Sequence, residues 1–165
     1  MTRSGYVAAI CTSPNGGVPK YAQDIVELGL HGLAGDYHNR AMRPGHGRLG
    51  VLMPNNNRHL TIVAREVYEF LNAELGTTLA AGSFGENILV EDMGDLGDVP
   101  PDARVTTCCG RVVLRVTAQN EPCVNLQTYH RLMAKMAYGQ RGLLCAIERG
   151  RGEHLSRGLP ITISW

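Results

Sequence analysis

The sequence predicts a mostly β domain with minor α content, folded as a barrel. Short runs of apolar or alternating residues recur at hairpin-like spacing, the pattern of sandwiches and barrels. Glycine supplies 20 of the 165 residues, well above the ~7% of an average protein, and implies many tight turns. Regular strand-helix-strand alternation is missing, which counts against a doubly wound α/β sheet.

Tyr6 to Cys11 is an apolar run closed by Ser13-Pro14-Asn15-Gly16-Gly17, a strand followed by a turn. Asp24 to Leu30 reads as a second strand. From His31 through Asn57 the chain is polar and glycine-rich without periodicity, and so long an irregular stretch in a compact domain is usually functional. Arg58 to Ala64 alternates as a strand. Arg65 to Leu75 is the first clear helix, with Val67, Phe70, Leu71 and Leu75 on one face and Gly76 as its C-terminal cap. The turn Ala80 to Asn87 leads into a strand from Asn87 to Glu91, and Asp92 to Asp102 is loop. Arg104 to Cys108 and Arg111 to Thr117 form a hairpin across Cys109-Gly110. Leu126, Tyr129, Leu132, Met133 and Met136 recur at helical spacing up to Gly139. Leu143 to Glu148 and Pro160 to Ser164 close the chain as strands. No repeat or low-complexity linker divides residues 1–165, so one domain is expected.

A hydrophobic fraction of 44% and a charged fraction of 19% fit an ordinary globular protein. A net charge of +1 supplies no global field for nucleic acid or an anionic membrane, so neither is expected as a partner. No charged-then-apolar segment opens the sequence, and no run approaches the ~18 apolar residues of a membrane span. The five cysteines form no C-x-x-C pair, and a cytoplasmic location with reduced thiols is expected.

The stretch Glu121-Pro122-Cys123 sits at a junction between strand and helix signals. Pro122 disfavours a helical conformation at Glu121 and implies a turn there. Cys123 is then expected at a helix N-terminus, where free N–H groups and the helix dipole favour the thiolate. Most free cysteines are small buried hydrophobes, so position alone leaves both readings open. Cys11 and Cys145 lie inside apolar runs and read as core, and the adjacent Cys108 and Cys109 read as structural.

His31, His38 and His46 share one loop with Asp36, but their spacing matches no common zinc signature. In Gly139-Gln140-Arg141-Gly142 an arginine stands between glycines, which would let backbone approach an anion while the guanidinium supplies charge. Ser83-Phe84-Gly85-Glu86-Asn87 is a similar turn. No nucleotide-binding glycine motif occurs.

The order of these pieces resembles the MOSC domain, named for the C-terminal domain of molybdenum cofactor sulfurases. The matching features are Gly32 to His38, Gly82 to Asn87, Pro122-Cys123 and Gly139 to Gly142. The chain looks like a small stand-alone bacterial member. The resemblance implies a Greek-key β-barrel with two or three helices at its rim and binding of a molybdenum–pterin cofactor. The cysteine matching Cys123 would be the protein ligand to molybdenum and the catalytic residue. Asn87, Glu86, Arg141, Asp36 and His38 match the family's motifs and are carried over as cofactor-binding. Arg58 and Arg149 join Arg141 as candidates for the phosphate charge. Two departures stand out: Gly158-Leu159-Pro160 replaces a usual Gly-Asp pair, and no separate N-terminal barrel is present.

Relatives of this kind reduce N-hydroxylated bases and amidoximes with electrons from redox proteins. The expectation is therefore an oxidoreductase acting on N-hydroxylated or N-oxide small molecules, with a redox protein or a sulfurase as partner. Two alternatives stand beside it: a carrier of cofactor or persulfide sulfur on Cys123, and a carbon–sulfur lyase using a metal held by His31 to His46. The oligomeric state is left open, with a homodimer among the arrangements considered.

Overall fold

A computed structural model of the chain describes residues 1–45 and 50–165. In chain order its elements are β1 (Thr2–Thr12), β2 (Tyr21–Gln23), β3 (Ile25–Glu27), β4 (Met42–Pro44), β5 (Leu52–Pro54), β6 (Leu60–Ala64) and α1 (Arg65–Leu75). They continue with β7 (Ile88–Glu91), β8 (Arg104–Thr107), β9 (Val112–Gln119), α2 (Met133–Met136), β10 (Leu143–Arg149), β11 (His154–Ser156) and β12 (Pro160–Ser164).

The main sheet runs β12-β8-β9-β10-β6-β7-β1, and pairing of β12 with β1 closes it into a seven-stranded barrel. Only β6 and β7 pair in parallel, joined by α1; the other barrel pairings are antiparallel. The first half of β1 pairs with β12 and its middle with β7, with a register shift between Val7 and Ala9 where the strand changes partner. Closure leaves the barrel strands no free edge. The alternation of β9 is legible in its burial: Val112, Leu114 and Val116 are buried, while Val113, Arg115 and Thr117 are partly exposed.

The first helix has the predicted bounds, with Gly76 in the left-handed conformation at its end. Val67, Tyr68 and Leu71 seat it on the barrel, whereas Phe70, expected on the apolar face, is exposed. The second predicted helix is not continuous. A 3-10 turn over Val124–Thr128 is followed, after a break, by the four-residue α2. Leu126 and Met133 still enter the core, which accounts for the helical spacing. The intervening Tyr129 and His130 are weak helix formers, and the His130 ring accepts the Leu132 N–H.

Three short pairings escaped the sequence reading. They are β2 on β1, β3 with β11, and the β4–β5 hairpin. The segment from His31 to Asn57 thus holds a hairpin within the stretch expected to be irregular. His46 lies outside the described residues.

Candidate functional site: a thiol and arginine cleft

Register partners Thr61 and Leu144 form part of the floor of a cleft of about 500 Å³ over the outer face of the β6–β10 pair. Its walls are the Gly82–Asn87 turn at Phe84 and Gly85, the segment from the last residue of β9, Gln119, to Cys123, and the side chains of Arg58, Arg141 and His38. A second cavity of about 210 Å³ adjoins it, sharing His38, Arg58 and Thr61 and adding Tyr37, Arg43 and Asn87. The two together make one continuous recess.

Cys123 is partly exposed on the wall of this cleft. The other thiols are placed differently. Burial pushes Cys11 and Cys145 up to about 12, with the Glu86 charge adding to the effect at Cys11. Cys108 is buried and Cys109 exposed, each in the left-handed conformation at the β8–β9 hairpin and with its thiol free. The turn that follows Cys123 is 3-10 and short, so the full helix dipole expected at this thiol is absent. The positive environment comes instead from arginines.

Arg58 has no carboxylate partner among the described residues. Burial, together with the charges of Arg43 and Arg141, pulls its guanidinium below the ordinary range, and the Cys123 sulfur acts in the opposite sense. Like charges disfavour one another, so this cluster is poised for an anion. Arg43 and Arg141 each bury an Nε that lacks a partner among the described residues.

Arg141 is also a clasp. It donates to the carbonyl of Glu121 and, at 3.2 Å, to that of Phe84, tying the Cys123 segment to the glycine turn. Of the flanking glycines, Gly142 packs against backbone. A side chain on Gly142 would sit 1.9 Å from the Ile62 carbonyl, and one on Gly82 2.0 Å from that of Lys20. Both are close approaches of backbone to backbone, at positive φ. Gly139 has open space around it.

Glu86 and Asn87 occupy supporting positions. Glu86 is fully buried, accepting hydrogen bonds from the Gly82 and Phe84 amides and the Tyr68 hydroxyl. Burial dominates and raises its pKa. Asn87 accepts from the Thr61 amide at 3.2 Å and donates to the Cys11 carbonyl at 3.3 Å, holding β1 and β6 together where its side chain reaches the second cavity. Arg149 stands at the other end of β10, donating to the Gly110 carbonyl, and lines neither cavity.

Asp36 and His38 meet Lys20, which the sequence reading passed over. Lys20 Nζ lies 2.9 Å from Asp36 Oδ2, with both side chains buried. Asp36 Oδ1 accepts the Ser13 amide, and Oδ2 also accepts the His38 amide at 3.1 Å. Burial alone would raise the Asp36 carboxyl, but hydrogen bonds from His38, Lys20 and Ser13 and the Lys20 charge hold it well below the usual carboxylate range. His38 Nδ1 is 3.4 Å from Lys20 Nζ, and the ring is partly exposed in both cavities. His31 stacks edge-on against His59. Among the described residues, no three His, Cys, Asp or Glu side chains are grouped to hold a metal ion.

The class is a closed seven-stranded β-barrel with rim helices, its cleft lined by one thiol and two arginines. The MOSC domain family model matches residues 38–159, and the chain belongs to that family. No curated protein sequence matches it. In fold it is similar to the YuaD protein of Bacillus subtilis, with a TM-score of 0.84 and 20% identity over 100% of this chain and 98% of that one. It is also similar to YiiM from Escherichia coli, with a TM-score of 0.64 and 17% identity over 97% of this chain and 70% of that one. YiiM from Geobacillus stearothermophilus gives a TM-score of 0.61 at 13% identity, over 100% of this chain and 76% of that one. The MOSC family is associated with molybdenum-cofactor binding and sulfurase-like function. Among the described residues no helix is long and apolar enough to cross a membrane.

Proposed function

We propose that the cleft binds a molybdenum–pterin cofactor through Cys123 and reduces N-hydroxylated or N-oxide small molecules. The observation that carries this reading is that Arg58 and Arg141 line the cleft that holds Cys123, with Arg43 beside Arg58 in the adjoining cavity. The donor set suits such a group. A metal held only by protein side chains would need several ligands together, whereas this cleft offers one sulfur and an excess of positive charge. That pairing fits a metal that arrives with its own soft sulfur ligands on a phosphorylated carrier. Arg58, without a carboxylate partner among the described residues, and Arg141 beside it would meet the phosphate.

When bound, the cofactor would supply two-electron redox chemistry at a sulfur-ligated metal. The chain's own residues would do the rest. Cys123 would fix the metal end, and Arg58 would neutralise the phosphate. Arg141 would hold the Glu121–Cys123 segment against the Gly82–Asn87 turn, so that thiol and arginines keep one geometry. The apolar surfaces of Tyr37, Met42 and Pro44 in the second cavity would receive the substrate and exclude water.

Protein produced in a host that makes the cofactor should reduce an N-hydroxylated base with reduced methyl viologen as electron donor. A Cys123→Ala protein should not. Wild-type protein that carries the cofactor yet leaves such substrates unchanged would overturn the reductase reading.

A further inference from the structure

We infer that Lys20 and Asp36 are positioning residues that fix His38 in one tautomer, making its Nε2–H the proton donor to ligands in the cleft. This rests on the reductase reading for its chemistry but not for its geometry.

Lys20 is 1% exposed, among the largest fully buried side chains of the described residues. Lysine is almost never fully buried unless paired. A buried ion pair is weak evidence of stability, because apolar residues of similar volume often serve as well. Its presence beside the cleft calls for another explanation.

Counting donors and acceptors supplies one. The Lys20 ammonium has three N–H donors. Among the described residues its hydrogen-bond partners are Asp36 Oδ2 and His38 Nδ1. Asp36 Oδ2 already accepts from Lys20 Nζ and from the His38 amide. His38 Nδ1 lies 3.4 Å from both that oxygen and Lys20 Nζ; the oxygen already accepts two hydrogen bonds, whereas the ammonium still has donors to place. Nδ1 is therefore the acceptor, and the neutral ring carries its proton on Nε2. With Nδ1 turned to the buried pair, the exposed part of the ring faces the junction of the two cavities.

The backbone holds this arrangement from both sides. The Lys20 amide donates to the Gly82 carbonyl, and the Tyr37 amide to that of Ser13. Gly82 leaves no room for a side chain against Lys20.

Reduction of an N-hydroxyl group takes up two electrons and two protons and releases water. As the N–O bond breaks, His38 Nε2–H gives its proton to the departing oxygen while Nδ1 takes one from the Lys20 ammonium, so that the ring stays neutral. The second proton comes from solvent and replaces the lost hydroxyl on nitrogen. The electrons come from an external one- or two-electron reductant, a redox protein in the cell or reduced methyl viologen in an assay. His38 then regains its proton from water.

The test begins with cofactor-free protein, by long-range ¹H–¹⁵N correlation of the histidine rings, with His38 assigned by its loss in His38→Gln. Wild type should show the Nε2–H pattern with a bare Nδ1. In Lys20→Met and in Asp36→Asn that pattern should give way to a tautomer mixture. Wild type with Nδ1 protonated, or a pattern indifferent to both substitutions, overturns the inference. In loaded protein, His38→Gln should lower kcat for the N-hydroxylated base about 100-fold, the usual contribution of a general acid. KM and molybdenum content should hold. An unchanged kcat overturns the donor role even if the tautomer is as stated. Loaded wild type that reduces nothing refutes the reductase reading instead, and the ring spectra then decide the Lys20–His38 relation alone.

Discussion

Arg141 is hydrogen-bonded to the carbonyl of Glu121, two residues before Cys123, and its other arm holds Phe84 in the facing turn. One side chain therefore sets the width of the cleft. Lysine at this position keeps the charge but cannot span both carbonyls. Arg141→Lys is expected to lower stability by about 2 kcal/mol in urea unfolding, the worth of one or two charged hydrogen bonds. Amide exchange should quicken across residues 120–126 and not in β12. Uniform exchange in the variant would show that the clasp does not hold the Cys123 segment.

Arg58 should behave in the opposite sense. It is partly buried among like charges, so its removal relieves repulsion in the ligand-free protein. Arg58→Met is expected to raise the unfolding free energy by about 0.5–1 kcal/mol. The same change should weaken binding of a phosphate ester about tenfold, equivalent to about 1.4 kcal/mol. Calorimetry on the two proteins measures both. A destabilised variant with unchanged phosphate affinity would mean that Arg58 serves the fold alone.

Thiol reactivity should separate the cysteines. With Cys11 and Cys145 pushed up to about 12 from an ordinary 9.0, their thiolate fraction at pH 8 falls roughly 1000-fold. Cys123 and Cys109 are accessible, Cys123 in the cleft and Cys109 on the β8–β9 turn. Mass spectrometry after brief iodoacetamide treatment should find Cys123 and Cys109 modified and the buried pair intact. Pyrophosphate in the cleft should protect Cys123 and leave Cys109 unaffected.

Glu86 predicts a pH dependence of known sign. Its folded pKa is raised, chiefly by burial, so the folded state binds more protons than the unfolded state above the ordinary value of 4.5. The stability tied to Glu86 is present below that value and is lost as pH rises through the folded pKa. Glu86→Gln keeps the shape and cannot ionise. Between pH 5 and pH 8 the wild type should lose more urea stability than the variant. Equal slopes would mean that Glu86 titrates as an ordinary exposed carboxyl.

The barrel was legible in the sequence wherever a strand is long enough to alternate. Arg111 to Thr117 names its own inner face, and Gly76 marks the end of α1. Pairing was not legible, because the closure of Thr2 on Ser164 joins residues with no local signal between them. Three-residue strands such as β2 and β11 draw their stability from a neighbour and leave no period to read. The site was half legible. Cys123, Arg58, Arg141 and His38 were named and do converge, whereas Glu86 and Asn87 were named for the cleft and chiefly brace its walls. Lys20 was missed because one lysine after Val18-Pro19 looks like any surface lysine until the fold buries it on Asp36. Arg43 was hidden in a stretch whose hairpin was not foreseen.

The central claim is that the cleft thiol holds the metal of an anionic cofactor. Molybdenum content, measured by elemental analysis of wild-type and Cys123→Ser protein purified from a cofactor-making host, tests it most directly. Stoichiometric molybdenum in the wild type and its loss in a folded Cys123→Ser protein is the predicted result. Wild-type protein without molybdenum, or equal molybdenum in both, would contradict it.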